Sequence, residues 1–313
     1  MTNIPNRPAI EVAGLRRSYG AQLVLDGIDL RVAEGTVFAL LGPNGAGKST
    51  MVHILSTLIR ADSGTARVCG HDVIADADRV RAAIGVTGQF SAVDVYLTGE
   101  ENLLLMADLH HLDRREGRRR IADLLERFGL TDAAKQGAAT YSGGMQRKLD
   151  LAMGLIGDPR VIFLDEPTTG LDPRSRREMW QIVRDLVAGG VSVFLTTQYL
   201  EEADHLADRI ALLDRGRIVA EGTPAELKSR VPGGHVELRF GDDEALATAA
   251  VLLGVVPERG DDPLVLRVPG DGGVRHLRSL LERLDAGHVE VDGLAVRTPD
   301  LDDVFFATIG QNR

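Results

Sequence analysis

Residues 36–41, apolar after Thr36, and 161–164 are compact apolar runs, and residues 191–195 are apolar apart from Ser192. Runs this short and this continuous predict strands covered on both faces, as in a parallel sheet flanked by helices. Between them the period changes. After Lys48, the residues Met51, Ile54, Leu55 and Leu58 recur at helical spacing, so residues 48–58 are expected to form a helix. Thr98 followed by Glu101 predicts a capping box for a helix running to Leu109. Further helices are expected over 118–128, 146–155 and 174–188. Residues 9–13 and 28–32 read as short strands flanking a turn. Residues 209–213 and 217–221 suggest a hairpin around Asp214, Arg215 and Gly216. Buried strands alternating with helices predict an α/β fold, and residues 98–157, almost wholly helical, a helical subdomain at about those bounds.

The pattern changes again at Val231, Pro232, Gly233 and Gly234, a natural linker. Beyond it, residues 235–240, 244–253, 264–268, 274–284 and 289–296 alternate strand, helix, strand, helix, strand, closed by a helix over 301–309. This predicts a small C-terminal α+β domain, ferredoxin-like in outline, with the division between 1–228 and 229–313.

Composition narrows the classes. The chain has 313 residues and a formal net charge of −10, which disfavours nucleic acid as a partner because such binding draws on a basic face. The single cysteine, Cys69, is read as a buried filler in a strand; it allows no internal disulfide and suits a reducing compartment. Residues 1–8 show no apolar secretory segment, and no apolar run approaches the roughly 20 residues that span a bilayer.

The chemistry is concentrated where strands meet helices. Gly42, Pro43, Asn44, Gly45, Ala46, Gly47, Lys48, Ser49 and Thr50 fit the P-loop pattern G-x-x-x-x-G-K-[ST] between a predicted strand and a predicted helix. Glycines let successive N–H groups curl toward phosphate oxygens, Lys48 reaches the terminal phosphates, and the Ser49 hydroxyl can ligate Mg²⁺. The run at 161–164 ends in two acids. Asp165 is read as an Mg²⁺ ligand through water and Glu166 as the general base for an attacking water. Tyr141, Ser142, Gly143, Gly144 and Met145 precede a helix and offer a second phosphate-binding helix start.

With these motifs in this order, residues 8–225 resemble the nucleotide-binding domain of an ABC transporter, and 141–145 its signature loop. The resemblance implies a P-loop ATPase domain with a RecA-like core, antiparallel β and helical subdomains, binding ATP and Mg²⁺. It further implies a homodimer in which the signature of one subunit closes on ATP held by the other. Tyr19 falls where the family stacks an aromatic on adenine, although packing in a strand would also explain it. Gln89 matches the glutamine that touches Mg²⁺ or water, and Asp172 the D-loop acid that bridges subunits. Where the family has a switch histidine this chain has Gln198, which can hydrogen-bond the γ-phosphate but cannot titrate near neutrality. Hydrolysis with a weaker pH dependence below 7 is therefore expected, or else a slow or inactive site.

The segment from Thr196 to Asp204, and Leu301 to Phe306, resemble the daunorubicin/doxorubicin-resistance type of exporter ATPase. That resemblance implies a separately encoded integral membrane permease, export of drugs, antibiotics or lipids, and a peripheral position on the cytoplasmic face of the membrane. An importer subunit, a non-transport ABC ATPase acting on a soluble partner, and a regulatory module that closes on ATP without hydrolysis stay open. Val304, Phe305, Phe306 and Ile309 form an apolar stripe that suits either core packing or a partner. The arginines between 114 and 120 read as a solvated helix face, and Trp180 as helix packing.

Overall fold

The computed structural model describes residues 8–230, 234–256, 262–270, 273–297 and 299–309. The expected linker residues 231–233 lie outside these. The chain divides into two compact units, Met1–Pro224 and Ala225–Arg313. The first runs β1 (Pro8–Tyr19), β2 (Gln22–Ala33), β3 (Val37–Leu41), α1 (Lys48–Leu55), β4 (Ser63–Val68), β5 (His71–Asp72), α2 (Ala77–Ala83) and β6 (Ile84–Thr87). It continues α3 (Gly99–Leu109), α4 (Arg114–Arg127), α5 (Gly143–Leu155), β7 (Val161–Asp165), α6 (Pro173–Ala188), β8 (Ser192–Thr197), α7 (Leu200–Leu206), β9 (Arg209–Asp214) and β10 (Arg217–Gly222).

The apolar runs form the interior of a six-stranded sheet of order β10-β9-β3-β8-β7-β6, parallel throughout except for the β9–β10 hairpin. β3, β7 and β8 are buried at every position. A second, antiparallel sheet has the order β2-β1-β4-β5. Met51, Val52, Ile54 and Leu55 of α1 share one core with Ile10, Leu15, Leu25 and Ile28 of that sheet and with Phe38, Phe163 and Phe194 of the parallel one. Helix α1 is thus fixed from both sides.

Several boundaries move, each for a local reason. β1 and β2 pair well beyond the short strands expected, through bulges to Tyr19 and Gln22, because ladder hydrogen bonds need no apolar side chain on an open face. α1 stops at Leu55: Thr57 takes a left-handed backbone (φ 66°), and Leu58 is exposed. α4 starts at Arg114 because the Asp113 carboxylate caps the N–H groups of Arg115 and Glu116. The Thr98–Glu101 capping box forms as expected. Cys69 is not in a strand. It is half-buried in the turn after β4 with φ 51°, and burial raises its thiol pKa. Within the arginine run, Arg119 and Arg120 clamp Glu116, whose pKa is held down to about 2.

At the join stands α8 (Pro224–Ser229), followed by β11 (His235–Arg239), α9 (Asp243–Leu253), β12 (Val265–Pro269), α10 (Val274–Ala286), β13 (Gly293–Arg297) and α11 (Leu301–Ile309). The described strands form a three-stranded sheet, β12-β11-β13, with β11 antiparallel to both neighbours. The pair β11 and β12, joined through α9, thus departs from the ferredoxin-like outline, in which strands joined through a helix run parallel. Val236, Leu238, Leu266 and Val268 pack with Leu246 and Ala249 of α9 and Leu280 and Leu284 of α10. On α11, Leu301 and Val304 are buried whereas Phe306 is exposed, so the expected stripe is divided; the Ile309 side chain lies outside the described residues.

Candidate functional site

The loop after β3 is shaped by two glycines that cannot be replaced without collision. A Cβ on Gly42 would lie 2.3 Å from the Leu213 carbonyl oxygen. Gly47 has φ 111°, and a Cβ there would lie 2.8 Å from Leu25 Cδ2 and 2.9 Å from the Val24 oxygen. The Gly42 N–H donates to the Thr197 carbonyl at 3.2 Å. The loop therefore passes tightly over the carboxyl ends of the parallel strands and delivers Lys48 as the first residue of α1. Open α/β sheets bind ligands at that edge.

Lys48 is only 5% exposed. Its Nζ donates to the carbonyls of Gly42 at 2.9 Å and Pro43 at 3.2 Å, and lies 3.3 Å from Glu166 Oε1. Asp165 and Glu166 are buried at the end of β7. Glu166 is left-handed (φ 49°), a conformation costing on the order of 1–3 kcal/mol for a residue with a side chain. Its neighbours hold it there. The Glu166 N–H donates to the Thr196 carbonyl at 3.1 Å and to Thr196 Oγ1 at 3.2 Å. Thr196 Oγ1 in turn donates to Asp165 Oδ1, and Thr169 Oγ1 donates to Glu166 Oε2 at 3.3 Å.

A cleft of about 460 Å³ brings together Tyr19, Asn44, Gly45, Gly47, Lys48, Ser49, Thr50, Gln89 and Glu166, with Gln22 and Val24 completing its wall. Tyr19 is 47% exposed, so it is not strand core, and the Arg17 guanidinium stands 4.9 Å from its ring centroid. Gly42, Pro43 and Ala46 form the body of the loop without lining the cleft. Asp165 lies one residue behind Glu166, bonded to Thr196. Gln198 directly follows β8, beside the start of the loop, and does not line the cleft. Ser49 and Gln89 in the cleft, with Asp165 behind it, are hard oxygen donors with one carboxylate among them. That set suits Mg²⁺ completed by water and phosphate oxygens.

The other expected residues gather elsewhere. Ser142 caps α5 by accepting the Met145 N–H at 3.2 Å, so Gly143 opens the helix. A Cβ on Gly144 would lie 2.7 Å from Ser175 Oγ, and that hydroxyl donates to Asp172 Oδ2 at 2.6 Å. Asp172 also caps α6 through the N–H groups of Arg174 and Ser175. The Ser175 hydroxyl, then its N–H, hold the Asp172 pKa below the usual carboxylate range. Tyr141 is buried and donates its hydroxyl to the Ala133 carbonyl at 2.7 Å. Residues 141–145 and Asp172 thus form a second focus that contributes nothing to the walls of this cleft.

Sequence reasoning missed Thr196, Arg147, Asp150 and Glu202. Only Thr196 carried a usable signal, a hydroxyl at the end of a buried strand beside the acidic one. Glu202 on α7 is fully buried; Trp180 Nε1 donates to its Oε1 at 3.4 Å, and the Thr197 and Thr168 side chains lie beside its carboxyl. Burial pushes its pKa up. Trp180 is helix packing, as expected, with this polar contact added.

The "ABC transporter" family model matches residues 25–169. A daunorubicin resistance ATP-binding protein of Streptomyces coeruleorubidus is 49% identical over 97% of this chain and 97% of its own length. A Nod factor export ATP-binding protein I of Ralstonia nicotianae is 41% identical over 82% of this chain and 79% of its own. Among solved structures, a dimeric ATP-binding cassette in a post-hydrolysis state, bound to ADP and Pi, is similar with a TM-score of 0.62. It is 25% identical, over 68% of this chain and 98% of that one.

The burial of Glu202 makes a pH-dependent expectation. A carboxyl whose pKa is raised in the folded state keeps its proton there while the unfolded chain ionises near the ordinary value of 4.5. Stability is then fullest below that value and falls as pH rises toward the raised one. Glu202→Gln, neutral at every pH, should match or exceed the wild type in denaturant unfolding at pH 7, with the difference narrowing toward pH 4.5. A wild-type advantage that grows with pH would contradict this.

Proposed function

This chain belongs to the ABC transporter family as an exporter-type ATPase subunit, and we propose that Glu166 is the base through which it hydrolyses ATP. The observation that carries this reading is the 3.3 Å contact between Lys48 Nζ and Glu166 Oε1 within the cleft. It sets the group that would meet the terminal phosphates beside the group that would take a proton from water. In this reading the N–H groups of residues 42–50 cradle the phosphates at the start of α1, and Tyr19 stacks on the base. As phosphates enter, Lys48 exchanges its carboxylate partner for phosphate oxygens. The freed Glu166 Oε1 then faces the attacking water, with Oε2 held by Thr169. Ser49, Gln89 and Asp165 would hold Mg²⁺, which when bound neutralises phosphate charge and fixes its geometry. Gln198 positions water or the γ-phosphate by hydrogen bonding; it cannot titrate near neutrality, so the rate should depend weakly on pH below 7.

The second focus has a place in the same reading. Ser142, Gly143, Gly144 and Met145 close on the ATP of a second copy, and Asp172 meets that copy nearby. The dimeric similar cassette supports this arrangement. Among the described residues no helix is long and apolar enough to cross a membrane. A separately encoded permease then provides the path, with this chain peripheral on the cytoplasmic face and residues 229–313 an accessory domain in assembly. The names of the relatives, daunorubicin resistance and Nod factor export, support export as the direction, with drugs, antibiotics or lipids as the cargo class in this reading.

Glu166→Gln should lower steady-state ATPase by roughly 10²–10⁴-fold while ATP still binds; a near-normal rate would remove Glu166 from the base role. The tagged chain, extracted gently from membranes of its host, should carry a stoichiometric polytopic membrane protein. Recovery with ribosomes or DNA instead, and no membrane partner, would overturn the transport reading and leave the ATPase.

A further inference from the structure

Arg147 and Asp150 lie one turn apart on α5 and are almost fully buried, 9% and 3% exposed. Arg147 spends its whole guanidinium on backbone and on Asp150. Its Nε donates to the Pro167 carbonyl at 2.9 Å, and one terminal nitrogen donates to the carbonyls of Asp165 at 3.2 Å and Glu166 at 3.4 Å. The other terminal nitrogen donates to the Gly88 carbonyl at 2.8 Å and to Asp150 Oδ2 at 3.3 Å. Asp150 Oδ1 accepts the Ala92 N–H at 3.0 Å. One ion pair thus grips the chain on both sides of Gln89 and, through the same fork, the three consecutive carbonyls centred on Glu166.

Packing alone does not call for such a pair, since apolar residues of similar volume fill interiors as well or better. The bonds go to two segments only, and each segment sends one side chain into the cleft: Gln89 and Glu166. We propose that Arg147 and Asp150 are positioning residues for hydrolysis, tying the loop that carries Gln89 to the backbone that carries Glu166. The two side chains then enter the cleft in one register, and a shift of either segment is passed to the other. Burial lowers the Arg147 pKa and raises that of Asp150, so neither charge is stable there without its partner. This inference rests on the ATPase reading given above.

The test is a set of ATPase measurements on the purified full chain. Arg147→Lys keeps the charge but loses the planar fork. It should lower kcat about tenfold or more, because small misplacements of reacting groups are costly in rate, with KM for ATP changed less than about threefold. Asp150→Ala should do the same, whereas Asp150→Asn, which keeps an oxygen for the Ala92 N–H but loses the charge that meets Arg147, should fall between Asp150→Ala and the wild type. In a double-mutant cycle on kcat, Gln89→Ala and Asp150→Ala should be strongly non-additive, the double variant being little slower than the slower single one. Losses that multiply, unchanged kcat in the folded variants, or a loss confined to KM would overturn the proposal. Melting curves are taken beside the rates, and Arg147→Lys replaces Asp150→Ala in the cycle if the latter fails to fold. Failure of both to fold assigns the pair to the fold alone and also overturns it. An inactive wild type would remove the ATPase reading and this proposal with it; an active wild type with multiplying losses would overturn this proposal only.

Discussion

A lysine ammonium withdrawn from water has to be met by oxygen, because a buried charge left unpaired is unfavourable by several kcal/mol. At Lys48 the oxygens come from Gly42, Pro43 and Glu166. Much of the first unit follows from that requirement. The two carbonyls turn inward to the ammonium, so the loop must curl back on itself, and Gly47 permits the curl with a backbone that residues with side chains seldom adopt. The third oxygen belongs to the residue just after β7, a strand separated from β3 by β8. Glu166 reaches across only because its own backbone turns left-handed at the strand end. Thr196, on the strand between, supports that turn by bonding both acids.

Such a constellation needs a base that does not move. Phe38, Phe194 and Phe163 sit on three neighbouring strands, with ring centroids 5.7 Å apart in each adjacent pair. Above them α1 is held between two sheets, so the helix start proposed to meet the phosphates is fixed from below by Phe residues and from the side by Val24 and Leu25. The pair Arg147–Asp150 adds a polar tie where the packing ends. Rigid apolar layers set the strands; buried hydrogen bonds set the side chains at their tips.

The parts of this arrangement that were legible in the sequence were those buried on both faces or shaped by glycine. Residues 37–41 and 161–164 can hardly be anything but interior strands, and the glycine-lysine loop between a strand and a helix has few other uses. β4 was missed because only Ala66 and Val68 of its six residues are buried, leaving too little alternation to read. The start of α4 was missed because a carboxylate cap, not an apolar residue, begins it. Arg147 was invisible for a deeper reason: a charged residue in an amphipathic helix is read as solvated, and only tertiary structure shows that five backbone and side-chain oxygens surround it. The same holds for Glu202. Gln198 was legible as a departure from the histidine pattern, while its position just outside the cleft lining depends on how β8 ends.

Lys48 as the contact for phosphate is the feature on which the proposed site depends most directly. Titration of a fluorescent ATP analogue into the wild type and into Lys48→Ala, with Mg²⁺ present, compares binding with and without that ammonium. A hydrogen bond to a charged group contributes about 1.5–3 kcal/mol, so affinity should fall roughly 10- to 100-fold in the variant. Equal affinity in the two proteins would mean that the nucleotide does not enter the cleft beside Lys48, and the site would have to be sought elsewhere.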